Sequence, residues 1–585
     1  MEALDRGVVA VPASGGGNLV SWRLFGYEEK TLGFVVYRDG TKLTNEPIVS
    51  STNYVDSSGT ASSKYSVRVV RSGAESEASE EASVWSKGYL EIPTQAPPAG
   101  SNASGSYTYT SSDGSVGDLD GDGRYDLVVK WDPSNSKDNS QAGHTGNVFI
   151  DAYSLDGERL WRMDLGVNIR AGAHYLPFLV YDLDGDGRAE VAFRTAPGTR
   201  DGKGEYLHTG PAADDNDSTD YRNDDGYILT GPEYLTVFDG LTGAEITTVN
   251  FEVGRGTVSG WGDSYGNRVD RFLGAVAFVS ETGKPSLIMG RGMYTRTTFT
   301  AWDFDGTALT RRFLSDQANN TTYAGKGAHS MSVANVDSDP QQEIIGGSAT
   351  FDHDGKGMCA VPFYGHGDAL HVSDLVPSRP GLEVFMPFES GAVPAYAMRD
   401  ARTCELLFKG PDTPEDGEGP GRGVAADVDP SSPGAEAWVS GGTLLRGDTG
   451  QSVGAKPRFD NFLVWWDGDL SRELLDANTV RQFDSEGGTL TADGCSSNNG
   501  SKSNPTLSGD LIGDFREEIV FRCGDSLRIY STGEVTEHRI YTLMHDPQYR
   551  SAISWQNTGY NQPPHPSFHI GEGMIEPPVP DIHLP

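Results

Sequence analysis

Asp118, Asp120 and Asp122 alternate with small residues in the run Gly117-Asp118-Leu119-Asp120-Gly121-Asp122-Gly123-Arg124-Tyr125-Asp126. The same order recurs as Tyr181-Asp182-Leu183-Asp184-Gly185-Asp186-Gly187-Arg188-Ala189-Glu190. When such a loop curls, oxygens at its first, third and fifth positions converge, and the glycines permit the positive-φ turns this needs. A carboxylate closes each phrase, Asp126 in one and Glu190 in the other, and an apolar β-rich run follows. The chemistry is that of a calcium loop feeding a strand. It is not an EF-hand, because the closing acid comes too early and no helix pattern follows. Asn335, Asp337, Asp339 and Glu343 repeat the set of oxygens, and looser versions start at Asp374, Asp427 and Asp510. A metal-less relic is read at residues 277–287.

Other stretches break this repeat and lack an obvious packing purpose. They hold His329, then His366 and Asp368 around Gly367, Arg422 between two glycines, the run Asn499-Gly500-Ser501-Lys502, and Tyr560. A lone histidine is more often packed than ligating, and on an acidic chain Arg422 and Lys502 have many possible partners. Those bland readings stand beside the functional ones.

The elements that must position these residues are short strands. The chain has 585 residues, 74 glycines and no long helical periodicity, which points to an all-β fold of many turns. Phrase starts at 118, 182, 277, 335, 374, 427 and 510 are too uneven for a solenoid and suit propeller blades with variable loops. Seven visible repeats plus a closing blade of mixed termini give an expected eight-bladed β-propeller over residues 101–585, with seven blades the alternative. Residues 1–92 lack the phrase and carry alternating runs such as Gly33-Phe34-Val35-Val36-Tyr37-Arg38. They are read as a small fibronectin type III-like β-sandwich that packs or spaces, joined by a Pro-rich linker at 93–100.

The formal net charge is −37, from 83 acidic and 46 basic residues, which excludes a nucleic-acid footprint. No run of eighteen apolar residues exists, so no membrane partner is expected. The start, Met1-Glu2-Ala3-Leu4-Asp5-Arg6, lacks the apolar core of a signal peptide. A secreted mature domain re-started at Met1 is the expectation. The four cysteines group as Cys359 with Cys404 and Cys495 with Cys523, though three connectivities are open.

These stretches, with the opening phrase and its continuation through Lys130-Trp131-Asp132-Pro133, resemble the rhamnogalacturonan lyases of polysaccharide lyase family eleven over essentially the whole chain. The resemblance implies an eight-bladed propeller binding several Ca2+ ions. It also implies β-elimination on the rhamnose–galacturonate backbone of pectin, a pectic polysaccharide partner, and a monomer. It carries the catalytic pair onto Lys502, as base, and Arg422, as carboxylate clamp or second candidate base. Asn499, Gly500, Ser501 and Tyr560 match sugar-contacting positions, with Ser501 where threonine is common. His329, His366 and Asp368 match a metal site, although calcium prefers oxygen to imidazole. Endo action is expected. An exo-acting lyase is the nearest rival, with Lys409–Pro420 as a loop able to block one end of a cleft. A non-catalytic, calcium-stabilised carbohydrate-binding propeller and a hydrolase using paired carboxylates are the rivals from other classes.

Overall fold

A computed structural model describes residues 2–580 and 582, except 364, 486 and 575. The fold is nearly all β. Among the described residues, eight four-stranded antiparallel sheets follow one another in chain order. Their first two strands form hairpins: Tyr109–Gly117 with Asp126–Pro133, Phe178–Tyr181 with Glu190–Thr195, Phe272–Ala277 with Ser286–Arg291, and Ser332–Ala334 with Glu343–Ile345. The other four are His371–Ser373 with Glu383–Pro387, Gly423–Ala426 with Glu436–Val439, Phe462–Val464 with Glu473–Asp476, and Leu507–Gly509 with Glu518–Arg522. First strands touch between successive sheets from the first to the fifth and between the sixth and seventh, Glu383–Pro387 touches Gly423–Ala426, and Leu507–Gly509 returns to Tyr109–Gly117.

The acidic phrase fills the turn between first and second strand. Its closing acid starts the second strand, opposite the last residue of the first, as in Gly117↔Asp126, Tyr181↔Glu190 and Ala334↔Glu343. That acid staples the turn. Asp126 accepts from the Leu119 amide, Glu190 from Leu183, Glu343 from Val336 and Glu383 from Val376. Glu436, Glu473 and Glu518 do the same for their turns. In the third sheet Ser286 stands there instead, bonded to Asp303, as the relic reading of residues 277–287 leads one to expect.

The sequence reading missed one sheet, Phe462–Val464 through Leu490–Thr491. The sheet of mixed termini is the one with the Asp510 turn: its outer strand is Tyr89–Pro93, paired to Ser526–Tyr530. Residues 89–92 therefore pair with the eighth sheet rather than within the first 92 residues. Ahead of them lie a three-stranded and a five-stranded sheet. Their core is shared, because Trp22, Phe34, Tyr65 and Val67 cluster with Phe515, Leu527, Tyr549 and Ile553.

The helix Pro547–Trp555 has Asp546 as its N-cap, accepting from the Tyr549 amide at 2.8 Å. It touches the first strands of the first four sheets. The segment after it continues that role, since Asn557 bonds Phe178, Gln556 bonds Ser508 and Thr558 bonds Gly274. Nearly every residue of the helix is buried. Cys359 is bonded to Cys404 and Cys495 to Cys523. No described helix is long and apolar enough to cross a membrane.

Candidate functional site

Strand direction separates two ends of the sheets. Acidic turns follow the first strand of seven of the eight sheets, so residues just before a first strand gather at the opposite end. His174 precedes Phe178, Arg271 precedes Phe272, and His329 precedes Ser332. His366 and Asp368 precede His371, Arg422 precedes Gly423, and Lys502 precedes Leu507. Tyr560 reaches the same end from the segment after the helix. At Gly559 the φ is +64°, and a side chain would run into the His329 carbonyl.

Lys502 and Arg422 meet on one carboxylate. Lys502 Nζ lies 2.7 Å from Asp368 Oδ2, and Arg422 Nε lies 3.8 Å from the same oxygen. Burial pushes the Asp368 carboxyl above its usual range, and Lys502 beside it offsets this only partly. Arg422 donates to the Ser501 carbonyl at 2.8 Å and to Ser501 Oγ at 3.0 Å. Lys502 Nζ sits 4.3 Å from the centroid of the Tyr560 ring, an attraction of an ammonium to an aromatic face. Burial, reinforced by Asp368, holds the Tyr560 hydroxyl above its ordinary range.

The turn carrying Lys502 is bracketed by Asn499 at φ 54° and Ser503 at φ 55°, left-handed conformations with a steric cost. Asn499 is held by donating to Asp113 Oδ1 at 3.2 Å, with Asn504 and Asn561 also in reach. Gly500 starts the short turn and exposes its backbone.

Beside this pair, His329, His366 and Glu389 bring ligand atoms within 4.8 Å of one another. His366 Nε2 faces Glu389 Oε2 at 3.1 Å, and His329 Nε2 faces the Tyr294 hydroxyl at 3.1 Å. His329 Nδ1 is buried with no hydrogen-bond partner. The hydrogen bond from His366 holds the Glu389 carboxyl below its usual range, whereas burial drives the His329 ring well toward neutrality. Neutral imidazole and ionised carboxylate are the forms that ligate metal. Asp368, placed with the histidines in the sequence reading, lies instead against the cations. Glu389 was missed there, and so was His174, whose ring centroid is 4.6 Å from that of His329. Both sit where a strand end meets this face, which is the signal that finds them.

At the opposite end, Asp118, Asp120 and Asp122 gather their oxygens, as do Asp182, Asp184 and Glu190. Burial and neighbouring acids push Asp118 to about 6 and Glu190 to about 9. Such crowding of buried oxygens is what a divalent cation relieves. Asp126 and Asp186 serve the turns beside these groups. In the turn of the fourth sheet the gathered set is Asp339, Glu343, Asp352 and His353. Asn335 and Asp337 bond within the loop, to the Asp339 carbonyl and amide. A further group, Asp467, Asp469 and Glu473, occupies the turn of the missed sheet.

Residues 89–580 match the model described as "Rhamnogalacturonan lyase family 11, C-terminal domain", and residues 1–85 match "Rhamnogalacturonan I lyases beta-sheet domain". The rhamnogalacturonan endolyase YesW of Bacillus subtilis (strain 168) is 53% identical, over 100% of this chain and 93% of YesW. Its crystal structure superimposes with a TM-score of 0.95 at 52% identity, covering 100% and 99% of the two chains. The rhamnogalacturonan exolyase YesX of the same organism is 48% identical over 100% of this chain and 97% of YesX. The Bacillus licheniformis rhamnogalacturonan lyase PL11 gives a TM-score of 0.94 at 52% identity, covering 100% and 99%. The chain thus belongs to rhamnogalacturonan lyase family 11.

Proposed function

We propose that this protein is a secreted, calcium-dependent rhamnogalacturonan endolyase, cutting rhamnose-(1→4)-galacturonate bonds by β-elimination. The eight sheets are read as the blades of a β-propeller closed by Tyr89–Pro93, and the two preceding sheets as a fibronectin type III-like sandwich. The observation that carries the function is the meeting of Lys502 and Arg422 on Asp368, beside His329, His366 and Glu389.

Elimination takes the proton from C5 of a galacturonate, moves that electron pair into a C4–C5 double bond, and expels the sugar on O4. C5–H is weakly acidic because the adjacent carboxylate is already negative. Calcium held by His329, His366 and Glu389 would neutralise that carboxylate. Arg422, fixed by two bonds to Ser501, presents its guanidinium to the same charge. Lys502 is the base. It acts in its neutral form, and Asp368, 2.7 Å away, positions its nitrogen. Arginine holds its proton too tightly for that role. Asn499, Gly500, Ser501 and Tyr560 line the sugar-facing turn. The acidic turns lie at the far end and pin the blades.

Endo action is supported by the likeness to YesW. The candidate blocking loop Lys409–Pro420 folds back on Phe388–Ala395, with Thr413 bonded to Val393 and Gly419 to Glu389. Early digestion products of rhamnogalacturonan decide the mode. A broad ladder of unsaturated oligosaccharides with a rapid fall in viscosity supports endo action. A single short product from the first minutes overturns it.

A further inference from the structure

The loop after Trp261 holds a cation and an aromatic ring that the chemistry above does not use. Arg268 has no acidic side chain within ion-pair distance among the described residues, although the chain carries 83 acids. Its neighbour Arg271 is committed, to Asn267 Oδ1 at 2.8 Å and to Asp138 at 3.5 Å. Both guanidinium carbons lie 5.4 Å from the Tyr294 ring centroid. Tyr294 in turn packs its ring 4.5 Å from that of His366 and bonds His329. Arg268 is therefore one aromatic ring away from the candidate metal set.

Tyr265, in the same loop, is 40% exposed and meets Tyr227 edge-on at 5.8 Å. The loop is stiff. Asp263 accepts from the amides of Tyr265, Gly266 and Arg268, at 3.1, 2.8 and 2.7 Å. Gly262 has φ +108°, and a Cβ there would lie 2.9 Å from Arg268 Nη1, so its bare backbone leaves room for the guanidinium.

An exposed aromatic ring and an unpaired, planar guanidinium carried by one fixed loop offer what a uronate sugar needs. The ring packs on the pyranose, and the fork grips the carboxylate in two parallel hydrogen bonds. We propose that Arg268 and Tyr265 form a distal subsite for a second galacturonate of the same polysaccharide chain, outside the unit being cleaved. This rests on the lyase reading of the central site. An alternating rhamnose–galacturonate polymer brings a carboxylate on every second sugar, and the subsite takes one that the reaction leaves untouched.

The test is R268A, R268K and Y265A with the full-length protein, assayed on polymeric rhamnogalacturonan. R268A is expected to raise KM about five- to tenfold at unchanged kcat. R268K, which keeps the charge but loses the fork, is expected to fall between, and Y265A to raise KM with kcat kept. The unchanged kcat shows that each variant folds. A KM within twofold of the parent for R268A overturns the subsite, and so does a loss confined to kcat. If the parent gives no unsaturated product, the lyase reading fails on its own. Retardation of parent and R268A in gels containing the polymer then decides the subsite: weaker retardation of R268A supports it, and equal retardation overturns it.

Discussion

Replacing Asp368 by Asn separates two roles for this carboxylate. Its side chain is 8% exposed and binds Lys502 at 2.7 Å, while Arg422 at 3.8 Å is beyond hydrogen-bond reach. Arg422 keeps both bonds to Ser501 in the variant, so it stays in place. Lys502 keeps only the face of Tyr560. The loss is then one charge-assisted hydrogen bond, about 1.5–3 kcal/mol, or roughly ten- to 150-fold in kcat if all of it appears in the transition state. The assay is the initial rate of unsaturated-uronate formation against calcium concentration. We expect kcat to fall by that factor with the half-saturating calcium concentration within about twofold of the parent. D368N combined with K502A should be no slower than K502A alone, because the carboxylate acts through the lysine. Unchanged kcat would refute the positioning of Lys502. A calcium requirement raised by about tenfold or more would return Asp368 to the metal set.

Glu389→Gln removes the carboxylate of the mixed cluster, and the calcium needed for half-maximal rate should rise about ten- to 100-fold. His371 is buried, bonded to His565 and the Gly423 carbonyl, and burial lowers it to about 4. Its unfolded value is near 6.5, so the unfolded chain binds the extra proton as pH falls. Stability is full above about pH 6.5 and drops by roughly 1.4 kcal/mol per unit toward pH 4. In H371N, denaturant midpoints over that window should fall less steeply. Removing the Cys359–Cys404 bond with C359A/C404A frees a 45-residue separation and should cost about 4 kcal/mol, read from urea unfolding.

The sequence made one end of the sheets legible and left the other hidden. Acidic turns announce themselves because the ligand oxygens and the closing acid are consecutive in the chain. The turn Asp467-Gly468-Asp469-Leu470-Ser471-Arg472-Glu473 escaped because Trp465 stands where the phrase has its first acid, although Glu473 keeps the register of Asp126, and the strand count slipped with it. Glu389 escaped for a different reason. It follows the second strand of its sheet rather than preceding the first, and nothing local marks it as a ligand. Lys502 and Arg422 are 80 positions apart, and only the packing of the loops before the fifth, sixth and eighth sheets brings them to one carboxylate. Family resemblance supplied that pairing where spacing was silent. The boundary was read at residue 92 because Tyr89–Pro93 looks like a generic strand, and its partner lies over 430 residues away.

The most direct test of the central claim is the ultraviolet absorbance of unsaturated uronate during incubation with rhamnogalacturonan, for the parent and K502A, with calcium and then with excess chelator. The account predicts a rise for the parent that chelator abolishes, and a rate for K502A lower by about 10²–10⁴ with polymer binding retained. New reducing ends without absorbance, or a K502A rate equal to the parent's, would contradict it.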